Sequence, residues 1–318
     1  MVLTIKTKVN SNICSLKKFQ TIKNKILIYR NAGGLGDILN MRMIFESLKN
    51  QYPDFLFDWA VPYPFFPAAS NHPYINKLIH CGDYDEQDYL QIYNLTHACT
   101  RYEWAKGKSN DKNRADIWAN HIGCELISHE MFMPDFSKHF AKLIDKLKSI
   151  GWDGNKKIVA FAPRSAIPAK NLTFEHCKII KNMTKDFFLM VLHNTPILDI
   201  AELKIPIITD LNLEEAMSFI QLSDFVISTD TGHLHCAGGY KKPTLGIFGY
   251  TNGYEIGKYY PTLKVVQKHF KDEPAYCGPC NNYNRCHVAP KAKIKPCFTD
   301  ITEDMLRKGW NFIVQNYK

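Results

Sequence analysis

Short apolar runs alternate along this chain with stretches whose apolar residues recur every three or four positions, which is the pattern of strands and helices taking turns. A polar, lysine-rich stretch covers residues 1–24, and then Lys25-Ile-Leu-Ile-Tyr-Arg30 reads as a buried strand. Asn31-Ala-Gly-Gly-Leu-Gly-Asp37 follows as a glycine-rich turn, and Ile38, Met41, Ile44, Phe45 and Leu48 then fall at helical spacing. Strand, glycine loop and helix open a βαβ unit. Val61-Pro-Tyr-Pro-Phe-Phe-Pro67 is too rich in proline for regular helix. Asp116 to Gly123 predicts a helix closed by glycine, while the polar sequence around Met133-Pro134 and a lysine-rich amphipathic stretch to Gly154 predict a connection between domains.

The pattern then restarts. Ile158–Ala162, Phe187–Leu192, Ile205–Ile208, Phe225–Thr229 and Thr244–Phe248 predict strands. Helices are expected from about Thr173, over Leu213–Leu222 behind an Asn212 cap, and after the turn Asp230-Thr-Gly232. Two successive units imply an α/β protein of two doubly wound domains facing each other across a cleft. The expected division is an N-terminal extension (1–24), a first domain (25–135), a linker (136–155) and a second domain (156–300) with a cysteine-rich loop (277–297). A final helix (301–318) is expected to pack back towards the first domain.

Composition supports this picture. The 318 residues suit two domains, and 45% hydrophobic with 22% charged residues is globular rather than disordered. No apolar run approaches the ~18 residues that span a bilayer, and the first residues lack a signal-peptide pattern. A cytoplasmic protein is expected, with peripheral contact to the inner membrane face left open. The net charge of +9 favours an anionic partner (nucleotide, phosphorylated lipid or nucleic acid) or marks a merely basic soluble protein.

Three constellations could carry chemistry. Gly33-Gly34-Leu35-Gly36 is neither G-x-G-x-x-G nor a P-loop, so its physical content is close backbone approach at the end of a strand. It delivers Asp37 to a helix start, as a dipole partner or as a catalytic carboxylate facing the cleft. Ser228-Thr-Asp-Thr-Gly-His-Leu-His235 ends a strand and begins a helix whose free amides can meet phosphate. Of its histidines, one is expected to donate to phosphate or to partner Asp230. The third is Cys277, Cys280, Cys286 and Cys297, spaced for a tetrahedral Zn²⁺ or iron site, the alternative being disulfides or free thiols. Asp83-Tyr84-Asp85 is a D-x-D tripeptide of the metal–diphosphate kind, set in an acidic loop.

At Ser223-Asp-Phe-Val-Ile-Ser-Thr-Asp-Thr-Gly-His-Leu-His235, Ala237, Lys242-Pro243 and Leu245-Gly-Ile-Phe-Gly249 the chain resembles glycosyltransferase family 9, the heptosyltransferase-like enzymes. Gly36-Asp37-Ile38-Leu39 is similar to that family's G-D-x-L motif, and Phe161-Ala-Pro-Arg-Ser165 with Lys170 to the opening of its second domain. Arg114-Ala-Asp-Ile-Trp118 to Gly123 is similar to its late first-domain helix. The resemblance covers roughly residues 25 to 315.

It implies the GT-B fold, with a nucleoside-diphosphate sugar held mainly by the second domain and the acceptor by the first. It also implies inversion at the anomeric carbon, with no cofactor or divalent metal for catalysis. By this resemblance Asp37 is the general base, and Ser165, Lys170 and the turn Asp230-Thr231-Gly232 meet the diphosphate. His235 rather than His233 takes the family's histidine position, and Arg164 and Asn194 complete the donor side. The chain departs from the family at His193-Asn194-Thr195 and Tyr250-Thr-Asn-Gly-Tyr254, which leaves the donor base and sugar open. The acceptor is a glycan, a glycolipid or a protein; modified DNA and a catalytically inactive sugar-nucleotide-binding module are the alternatives. Relatives that act on proteins carry a late four-cysteine iron site, so a structural Zn or Fe is expected here. Oligomeric state is not legible.

Overall fold

A computed structural model describes residues 24–317 apart from 274, 282–285, 287 and 292–295. The polar N-terminal extension up to residue 23 lies outside the described residues.

Two parallel sheets form the frame. The first contains β1 (Lys25–Tyr29), β2 (Leu56–Val61), β3 (Lys77–His80) and β4 (Gln91–Asn94), in the order β3-β2-β1-β4. The second contains β5 (Ile158–Ala162), β6 (Phe188–Leu192), β7 (Ile207–Ile208), β8 (Phe225–Thr229), β9 (Thr244–Ile247) and β10 (Leu263–Val266), in the order β10-β9-β8-β5-β6-β7. All pairings are parallel. Helices cover both faces, which is why β5 and β8 are buried at every position.

The strand order places the cleft. Chain order reverses beside β1 in the first sheet and between β5 and β8 in the second, and the carboxyl ends at such switch points are where ligands bind. The glycine loop leaves β1 there, Pro163-Arg164-Ser165 leaves β5, and Asp230 leaves β8.

Three features differ from the sequence reading. The proline-rich segment contains a helical turn, Phe66–Ala69, with Pro67 in its first turn, where the missing N–H costs nothing. The linker is ordered: helix Phe140–Ser149 buries Leu143 and Leu147 and packs on helix Leu213–Leu222. The C-terminal helix Glu303–Tyr317 does not return to the first domain with its buried face. Leu306, Trp310 and Ile313 join Ile180, Phe225 and Leu245 in the second domain's core. Its apolar stripe matches the uncovered face of β9 and β10, and Trp310 packs edge-on against Phe187 and Phe225.

Candidate active site

A cleft of about 770 Å³ opens where the two sets of strand ends face each other. Its first-domain wall is the glycine loop with Asp37 and Arg114, and its second-domain wall includes Arg164, Ser165, Lys170, Asn194 and Asp230 to His233, with His235. The structure therefore brings the sequence-derived candidates of both domains to one cavity, the four cysteines excepted.

Asp37 begins the helix Leu35–Met41 and is buried. One carboxylate oxygen accepts from Arg30 Nη2 at 2.8 Å and from the Gly34 amide at 3.1 Å, and the other from Arg114 Nη1. Burial alone would raise its pKa, but Arg114, then Arg30 and the Gly34 amide outweigh that and hold it at about 2. Arg30 is fixed in turn by the carbonyls of Leu95 and Thr96, and Arg114 by a two-pronged pair with Glu103. Gly33 lies at φ +112, and a Cβ there would run into the Arg30–Asp37 pair.

Opposite, Lys170 Nζ meets Asp230 at 2.5 Å, and His235 Nε2 approaches the other oxygen of Asp230 at 3.7 Å. Burial again opposes ionisation, yet Lys170 and His235 hold the Asp230 carboxyl far below the usual range. A carboxylate engaged on both oxygens repels phosphate. Asp230 positions Lys170 at the wall of the cleft. Thr231 caps the helix Gly232–Gly239 by accepting from the His233 amide. Arg164 lines the cleft, but its guanidinium is taken up by Asp199 and the Leu172 carbonyl, while the Ser165 amide donates to Asn171.

The two walls are joined directly. The Gly36 Cα lies against the His235 ring so closely that a Cβ would clash with it. His235 Nδ1 is within reach of Asn40 Nδ2 at 3.1 Å and the Tyr260 hydroxyl at 2.7 Å, and that hydroxyl also reaches Asn40 Oδ1 at 2.7 Å. The close backbone approach expected of this glycine is between two helices from different domains.

Sequence reasoning missed Arg114, Glu103, Asn40, Tyr260 and His233 as site residues. His233 Nδ1 is buried without a hydrogen-bond partner among the described residues, and burial together with nearby His193 pushes its pKa down to about 4. His233 lines the cleft. The D-x-D acids lie elsewhere: Asp83 pairs with His80, and Asp85 caps a short turn.

No disulfide joins Cys277, Cys280, Cys286 or Cys297 among the described residues. Burial, then the charges of Cys280, Cys277 and Cys286, push Cys297 up to about 12. Among the described residues no group of three or more His, Cys, Asp or Glu is gathered closely enough to hold an ion. The donor chemistry suits Zn²⁺ or iron, but the sulfurs are not assembled as a ligand set. Their loop reaches the first domain through Lys108 to the Tyr276 carbonyl and Asn281 to the Gly107 carbonyl.

Residues 196–284 match the sequence profile of glycosyltransferase family 9 (heptosyltransferase). No curated protein sequence matches the chain significantly. Among solved structures, the glycosyl transferase family 9 protein of Veillonella parvula is 13% identical over 92% of this chain and 97% of that one, with a TM-score of 0.68. The E. coli ADP-heptose lps heptosyltransferase II is 14% identical over 92% and 99%, with a TM-score of 0.63. The iron-containing dodecameric heptosyltransferase TibC of enterotoxigenic E. coli, solved with ADP-D-beta-D-heptose, is 13% identical over 93% and 78%, with a TM-score of 0.66. At such identities the likeness speaks for the fold. With that fold and the profile match across its Asp230 motif, the chain is a heptosyltransferase-like glycosyltransferase of GT-B architecture, similar to family 9.

Proposed function

We propose that the chain moves a sugar from a nucleoside-diphosphate sugar of the ADP-heptose kind to a hydroxyl of a glycan, glycolipid or protein, inverting the anomeric carbon without a divalent metal in the chemistry. One observation carries this reading: a single cleft sets an ionised carboxylate, Asp37, across from a lysine and a helix start that suit a diphosphate. The acceptor oxygen bonds to the anomeric carbon as the bond from that carbon to the diphosphate oxygen breaks. The hydroxyl proton passes to Asp37, and the electron pair leaves with the nucleoside diphosphate. Lys170, the Thr231 hydroxyl and the first amides of helix Gly232–Gly239 oppose the charge gained by the leaving group. Arg30 and Arg114 weaken Asp37 as a base but keep it ionised and aimed. It suffices because the hydroxyl acidifies as its new bond forms. Of the proteins similar in fold, one is an ADP-heptose lps heptosyltransferase and another was solved with ADP-D-beta-D-heptose, which supports a donor of this kind.

Thermal unfolding with ADP, UDP and GDP, together with nucleotide release from the matching sugar nucleotides, tests the reading. One nucleoside diphosphate is expected to stabilise the protein, by about 2.7 kcal/mol at a hundredfold excess over Kd. No stabilisation by any of them would count decisively against it.

The cysteine loop adds a separate proposal. Binding one structural zinc or iron would draw Cys277, Cys280, Cys286 and Cys297 together as its ligands and pin a loop that already bridges the domains. Metal analysis of protein purified without chelator is expected to find about one equivalent for four thiolates. Less than about 0.2 equivalents of zinc plus iron would leave the four cysteines as thiols or disulfides.

A further inference from the structure

Beside the cleft, behind a wall of Arg114, Lys170 and the Asp230–His235 pair, lies a second cavity of about 260 Å³. At roughly 30 Å³ per water that is room for eight or nine waters, or one sugar ring. The first domain contributes Thr100, Trp104 and Lys112 to its lining, and the second Tyr250 and Glu255. Two features mark it as built for a ligand. Trp104 is 61% exposed, while Trp59, Trp118 and Trp310 are buried, so one large flat apolar surface stays uncovered at the cavity's edge. The half-buried carboxylate of Glu255 makes no ion pair among the described residues, and burial, outweighing Lys258 and Lys271, pushes its pKa up. Lys112 likewise has no carboxylate partner among them and rests over the ring of Tyr102.

A flat apolar face edged by an acid, an amine and a hydroxyl matches a sugar ring, whose faces are C–H and whose rim is hydroxyl. The apolar Leu192, Leu211 and Ala216, which suit a nucleobase, line the main cleft and not this cavity. Both cavities share Lys170, so the second begins where the diphosphate would end.

We propose that this cavity is a sugar subsite, taking one pyranose ring of the reactants with its apolar face on Trp104 and its hydroxyls at Glu255, Lys112 and Thr100. The proposal rests on the glycosyltransferase reading. The ring comes either from the donor or from an acceptor glycan, and the experiment separates these sources.

Acrylamide quenching of Trp104 fluorescence, corrected with Trp104→Phe, is read with ADP, with ADP-heptose, UDP-glucose and GDP-mannose, and with ADP plus oligosaccharides of glucose, galactose and N-acetylglucosamine. ADP is expected to stabilise the fold and leave Trp104 quenchable. Shielding by a sugar nucleotide assigns the subsite to the donor sugar, and shielding by ADP plus an oligosaccharide assigns it to the acceptor. Trp104→Ala and Glu255→Gln are each expected to weaken that sugar about tenfold with ADP affinity unchanged. Shielding by ADP alone, or a Trp104 that stays open with every sugar while ADP stabilises the fold, overturns the subsite. Failure of ADP, UDP and GDP alike to stabilise the fold overturns the glycosyltransferase reading and the subsite with it.

Discussion

Asp37→Asn is expected to lower turnover by about 10²-fold or more, as for loss of a general base, with donor binding nearly intact. Asparagine keeps the shape and one acceptor oxygen. Arg30 retains the Leu95 and Thr96 carbonyls and Arg114 retains Glu103, so the variant should still fold. Steady-state turnover beside nucleotide affinity measured by calorimetry checks both halves. If turnover survives, Asp37 is only a helix-start residue. The pH dependence gives a second reading of the same carboxyl. Its pKa is depressed from the ordinary 3.8 to about 2. Its contribution to stability is therefore complete above pH 3.8 and lost as pH falls through about 2. No limb in the pH–rate profile between pH 5 and 8 should belong to it.

Lys170→Ala should reduce both nucleotide affinity and turnover, the latter by about 10²–10³-fold, because the charge it meets grows as the leaving group departs. It should also destabilise the fold by about 3–5 kcal/mol, since Asp230 stays buried without its closest cation. The double variant Lys170→Ala/Asp230→Asn separates these effects: it should recover much of the stability and none of the turnover. Unchanged nucleotide affinity in Lys170→Ala would remove the lysine from the diphosphate site.

Much of this arrangement was legible in the order of residues. β1, β5 and β8 each carry at least three consecutive apolar residues because both their faces are covered, and each leads straight into one of the candidate-site loops. Asp37 and Asp230 could be named because each follows such a strand end. β2 escaped notice because Asp58 breaks its run, and only the fold supplies the partners Asn76 and Tyr89 that make that buried carboxylate tolerable. β7, expected over Ile205–Ile208, is confined to Ile207–Ile208. Arg114 and Glu103 sit on separate helices, and their grip on each other and on Asp37 exists only once those helices pack. The knot of Asn40, His235 and Tyr260 joins residues from opposite ends of the chain. No local spacing announces it.

The seam at Gly36 and His235 has a mechanical consequence. Gly232 is pressed against Leu35 in the same dovetailed way, so the helices Leu35–Met41 and Gly232–Gly239 cannot part without losing buried packing and hydrogen bonds together. Opening and closing must then pivot about this point, as a clamshell turns on its pin. Asp37 is the next residue after Gly36, and Asp230 lies two before Gly232. Both stand beside the pivot, where rotation displaces atoms least. The outer rims, Trp104 among them, can swing apart while Asp37 and Asp230 keep their spacing.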